Sequence, residues 1–167
     1  MSLVRNIARS YRAPRDVARG LLAGGVREDR ALMFLMLGCM LAFVAQWPGL
    51  ARGAALDPDI TFQQRMGGAL FAVLFLVPLL MYGLAGLIQL ALRLVGFAVP
   101  GHAVRMVLFW AFLATTPLML MQGGLSAFTG QGIMAQAIGF VVGAAFLYIL
   151  ASGLRAAHEA ARAGALD

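Results

Sequence analysis

Met66–Leu92, MGGALFAVLFLVPLLMYGLAGLIQLAL, runs between Arg65 and Arg93 without a formal charge. A helix rises about 1.5 Å per residue, so this stretch outreaches the roughly 30 Å of hydrocarbon in a bilayer. It predicts a membrane span with length to spare. Pro78, near its middle, cannot donate a backbone hydrogen bond and orphans the carbonyl of Leu74, so a kink is expected there, flanked by Tyr82, Gly83 and Gly86.

Composition agrees with that reading. The chain of 167 residues is 62% hydrophobic and only 12% charged, with a mean hydropathy of +0.86. Such a chain cannot cover a water-facing surface with polar groups, and its length leaves no room for a separate catalytic domain beside the spans. The predicted fold class is all-α, a polytopic membrane bundle of four transmembrane helices with an N-terminal amphipathic interfacial segment. All 13 basic residues are arginine. With so much Ala and Gly, that bias is the mark of a GC-rich bacterial genome. The net charge of +6 lies along helix flanks and forms no base-reading motif, so anionic lipid headgroups, and not nucleic acid, are the expected counter-charge. The single cysteine, Cys39, excludes an internal disulfide.

Residues 1–30 read as a basic amphipathic segment. Leu3, Ile7 and Tyr11 share one helical face while Arg5, Arg9 and Arg12 share another, the pattern of a short helix lying among headgroups. Pro14 is placed to start a second helical stretch, with Val17, Leu21 and Leu22 on one side and Arg15 and Arg19 on the other; Gly24 and Gly25 end it. Each surplus arginine is worth about 1 kcal/mol of attraction to an anionic leaflet. Arg5, Arg9, Arg12, Arg15 and Arg19 are therefore candidate contacts for lipid headgroups or a partner, although a solvated, positive-inside flank is the favoured account of them, since topology requires one anyway. An organellar import signal is a lesser alternative for this acid-poor opening.

The transmembrane domain is expected over 31–154, with spans at about 31–51, 68–92, 103–121 and 133–154, and 155–167 as a cytoplasmic tail. Pro48 and Gly49 are expected to close the first span. A cluster of Gln, Gly, Ser and Thr from Gln122 to Gly132 is expected to be the turn between the third and fourth. In the third span Pro117 predicts a second kink, where Thr115 or Thr116 can cap an orphaned carbonyl. In the fourth, Ala135, Gly139 and Gly143 form a small-residue stripe for helix packing. Eleven arginines fall on the side of the termini and second loop against two in the first loop, so both termini are expected in the cytoplasm, with Trp110 and Tyr148 near the inner interface and Trp47 near the outer one.

Chemistry is sparse. His102 and His158 lie in flanks, Asp57 and Asp59 bracket a proline in a loop, and no His, Cys, Asp or Glu grouping has metal-site spacing. No catalytic, cofactor-binding or metal site is expected, only a bound phospholipid. The spans carry no ionisable side chain of the kind that marks proton or ion paths.

The order YRAPRDVARGLLAGG (Tyr11–Gly25), REDRAL (Arg27–Leu32), PLLMYGLAGLIQLALRLVG (Pro78–Gly96) and FWAFLATTPLML (Phe109–Leu120) resembles the bacterial branch of the Yip family, named for eukaryotic proteins that interact with Rab-type GTPases. The resemblance implies a small, non-enzymatic polytopic protein of the inner membrane working through protein and lipid contacts. It carries over no GTPase partner and no functional residue, since the eukaryotic members have five spans and an acidic, aromatic motif that this sequence lacks. An accessory, assembly or organising subunit of a larger membrane complex is the expected function; a small transporter or channel subunit, suggested by the two prolines near Tyr82, Thr115 and Thr116, is the alternative.

Overall fold

The computed structural model describes residues 2–25, 27–97, 99–129 and 132–164. Helices α1 (Leu3–Ser10) and α2 (Pro14–Ala23) precede α3 (Glu28–Leu56); α4 (Phe62–Phe71) passes through a π-helical turn, Ala72–Leu76, into α5 (Val77–Leu94); α6 (Gly101–Thr129) and α7 (Ile133–Arg162) follow. Among the described residues there is no strand. Four stretches are long and apolar enough to cross a bilayer, Glu28–Leu56, Phe62–Leu94, Gly101–Ser126 and Ile133–Arg162, which makes this a multi-pass membrane protein.

Helix α6 is the axis. Met106 to Thr116 is buried without a break, and Phe109, Met106, Leu108 and Leu113 are fully enclosed. A helix apolar on every face needs neighbours on every face. They are α3, α7 and α5, with the α1–α2 pair closing the remaining side. Close approach depends on glycine at three places. A Cβ on Gly38 of α3 would stand 2.7 Å from the Phe112 ring, one on Gly153 of α7 would stand 2.5 Å from Val107, and one on Gly123 of α6 would overlap the carbonyl oxygen of Ala45.

Ion pairs and caps hold the ends. Arg105 at the start of α6 grips Glu28 at the start of α3, with Nε 3.1 Å from both carboxylate oxygens. At the opposite end Arg65 donates to Asp57 at 2.6 Å and to the Ile60 carbonyl at 3.1 Å, while Thr61 and Gln64 form a capping box that starts α4. With its amide oxygen toward α6, Gln89 accepts from Arg93 at 3.0 Å and from the Gly101 amide at 3.2 Å.

Two sequence expectations about helix ends are corrected. Pro48 and Gly49 do not end the first span; α3 runs through them to Leu56. Gln122 to Thr129 are helical, not a turn, so α6 is far longer than 103–121, and of the expected turn residues Gly130 and Gln131 lie outside the described residues. Both follow from the solvent: without competing water, a membrane helix tolerates Pro and Gly when neighbours satisfy the freed backbone groups. Trp110, expected near the inner interface, turns its ring into the core, edge-on to Phe34 at 5.0 Å.

At the prolines, local chemistry compensates. The π turn directly precedes Pro78, and the Val77 amide reaches back to the Ala72 carbonyl. This wider turn is a recognised way of accommodating a broken ladder. In α6 the Thr116 hydroxyl donates at 2.8 Å to the Leu113 carbonyl, the acceptor that Pro117 cannot serve.

Candidate basic cleft between the N-terminal hairpin and the last helix

Helices α1 and α2 fold back on one another and wedge their corner into the bundle. The apolar face expected to rest on lipid packs on protein: Leu3, Ile7 and Tyr11 lie against the core, and Val17, Leu21 and Leu22 belong to it. At the corner the Trp110 indole N–H donates to Ser10 Oγ at 3.0 Å, and Ser10 donates to the Asn6 carbonyl at 2.8 Å. The Tyr11 hydroxyl donates to the Ala114 carbonyl at 2.5 Å. Burial holds the Tyr11 phenol above its ordinary pKa, so it remains a donor. Ala114 lies nine residues beyond Arg105, about 13 Å further along the helix, so the corner reaches well below the charged rim.

This wedge sorts the five candidate arginines. Arg9 pairs with Asp16 at 3.6 Å, and Arg19 bridges Asp16 at 3.7 Å and Glu159 of α7 at 2.8 Å. The Arg19 hydrogen bond holds the Glu159 carboxyl below its usual range. Arg5 is exposed on α1. Arg12 and Arg15 instead line a cleft of about 390 Å³, together with Asp16, Tyr148, Ser152 and Arg155. Arg155, Tyr148 and Ser152 carry no local signal linking them to the N-terminus; only the packing of α2 along α7 brings residues so distant in sequence together.

The packing residues also divide. Ala135 is buried, the missing Cβ of Gly139 would stand 3.0 Å from Gln122 Nε2, and Gly143 faces open space, whereas a Cβ on Gly153 would come within 2.5 Å of Val107 of α6.

The remaining polar groups are quiet. Thr115 and Thr116 have no exposed surface, and Thr115 donates to the Phe112 carbonyl at 2.8 Å. Tyr82 stands edge-on to Phe109 at 5.0 Å. His102 is in the first turn of α6, and His158 stacks on Phe97 at 4.2 Å with Nδ1 buried and unpartnered among the described residues. No three His, Cys, Asp or Glu among the described residues are grouped so as to hold a metal ion. At the end of the bundle away from the hairpin, a groove of about 610 Å³ runs between α3, α6 and α7, with Gln46, Arg65, Gln122 and Ser126 as its polar lining. Comparison with known protein families, with curated proteins and with solved structures finds no match to this chain.

Proposed function

We propose that the protein is a non-enzymatic accessory, assembly or organising subunit of a larger membrane complex, a member of the bacterial Yip branch that its sequence resembles. The observation that carries this reading is the closed, internally satisfied centre: the hydroxyls of Thr115 and Thr116 have no exposed surface and are spent on carbonyls of their own helix. What the chain offers a neighbour is surface. Its partners are another membrane protein and anionic lipids, in the bacterial inner membrane. Docking of α2 on the last turns of α7 puts the described ends of the chain together, and the arginine excess on that side supports a cytoplasmic location for both termini. Purification in mild detergent brings down a stoichiometric partner under this proposal. Crosslinking in native membranes that yields only a lone monomer rejects it.

One observation favours the alternative of a small transporter or channel subunit: the groove at the end opposite the hairpin sets the polar side chains of Gln46, Arg65, Gln122 and Ser126 in an otherwise apolar lining. It ends short of the closed packing at Thr115 and Thr116, so transport requires α6 to part from its neighbours. Labelling of a cysteine at position 116 by a water-soluble reagent from both sides of the membrane would favour that reading.

A further inference from the structure

We infer that the cleft between α2 and α7 is a binding site for the phosphate of an anionic phospholipid headgroup, with an acyl chain laid along α7. The inference deepens the lipid half of the proposed function and is independent of any protein partner.

Arg12, Arg15 and Arg155 converge on the cleft, and none of them forms an ion pair among the described residues. Its one carboxylate, Asp16, is already shared between Arg9 and Arg19, so it does not neutralise them. Ala13 gives α2 no side-chain cap and Pro14 opens the helix, which leaves the first amides of α2, those of Arg15 and Asp16, without intrahelical acceptors at the cleft edge. Ser152 adds a hydroxyl donor to the cleft. It lines the cleft, is only 9% exposed, and its hydroxyl has no hydrogen-bond partner among the described residues. That hydroxyl opens onto the cleft, where a phosphate oxygen can accept from it. Guanidinium forks, open amides and a hydroxyl are the donor set that phosphate accepts from.

The setting selects a lipid over a free anion. Tyr148 places an exposed ring at the cleft, as headgroup-level aromatics do. Toward the membrane interior the same helix carries an apolar groove of about 620 Å³ lined by Gly139, Phe140, Gly143 and Leu147. Leu147 is five residues from Ser152, about 8 Å along the axis, so a chain leaving the headgroup enters the groove within its first few carbons. Gly143, open to space, gives that groove its depth.

The test is native mass spectrometry of the full chain, purified in mild detergent and titrated with phosphatidylglycerol, phosphatidylcholine or inorganic phosphate. One phosphatidylglycerol is retained per chain, phosphatidylcholine is not, and inorganic phosphate does not displace the lipid. The triple variant Arg12→Gln, Arg15→Gln, Arg155→Gln weakens retention by roughly a hundredfold, given about 1 kcal/mol per arginine near an anionic headgroup. Arg5→Gln, Arg27→Gln, Arg162→Gln removes equal charge elsewhere and leaves retention near wild type. Ser152→Ala, which keeps every charge and adds no bulk, weakens retention a few-fold, and so guards against a triple variant that fails to fold. Equal loss in the two triple variants, equal retention of phosphatidylcholine, or displacement by inorganic phosphate would overturn the inference. Retention of phosphatidylglycerol by a chain that copurifies with no partner leaves the site standing and removes the accessory-subunit reading alone.

Discussion

Helices α5 and α6 are both apolar enough to cross a bilayer, yet in the most apolar window of the Phe62–Leu94 span 11% of residues are buried, against 67% in that of Gly101–Ser126. Leu79, Leu80, Leu87 and Leu90 of α5 face outward, while Phe109 and Leu113 of α6 have no exposed surface at all. Hydropathy cannot tell the two apart because lipid tails are as apolar as leucine. What separates them is closeness. Around α6, glycines on α3 and α7 draw the backbones in, whereas Gly83 and Gly86 of α5 have nothing within 4 Å of where a Cβ would stand.

Substitution breaks the comparison most sharply where volume is removed from the enclosed helix. Phe109→Ala should cost about 3 kcal/mol or more of unfolding free energy in mixed micelles, since the void has neighbours on every side, whereas Leu87→Ala on α5 should stay within about 0.5 kcal/mol. Equal costs would mean that α5 is as covered as α6.

Adding volume gives the next largest contrast. Gly123→Ala and Gly38→Ala meet a carbonyl oxygen and a phenyl ring, so each should destabilise by about 1–3 kcal/mol. Gly83→Ala meets open space and should be neutral or stabilising by up to about 1 kcal/mol through helix propensity. Chemical denaturation of the purified variants checks both signs.

Smaller effects fall at the wedge. Tyr11→Phe should cost about 1 kcal/mol by removing the donor to the Ala114 carbonyl. The Arg19–Glu159 bridge adds a pH dependence. Because the Glu159 pKa is lowered in the folded protein, its contribution is present above the ordinary carboxylate range and is lost as pH falls through the folded value. Protection factors of α2 amides, taken relative to the intrinsic exchange rate at each pH, should therefore fall on acidification, and Glu159→Gln should reduce that response while leaving the Asp16 pairs in place.

Charge-free runs made the four spans legible, because burying an ionised group in lipid is costly and the arginines mark the rims. Their ends were not, since Pro48, Gly49, Gly123 and Gly124 are punctuation in water and tolerated in a membrane helix. The amphipathic faces of α1 and α2 were legible too, but an apolar stripe reads the same whether lipid or α6 covers it. The cleft was half legible. Arg12 and Arg15 stood among the candidates, and nothing local to Arg155 or Ser152 points to a partner at the far end of the chain. Thr116 beside Pro117 was readable for the opposite reason, since the hydroxyl and the carbonyl it serves lie three residues apart.

Enclosure of α6 depends on the N-terminal hairpin being part of the wall and not a separate helix afloat on headgroups. Spin labels at positions 19 and 159 of the protein in lipid nanodiscs test this directly by pulsed dipolar spectroscopy. A single short, narrow distance distribution is the expected result, as the Arg19 and Glu159 side chains meet at 2.8 Å. A broad distribution centred at long distance would contradict the account.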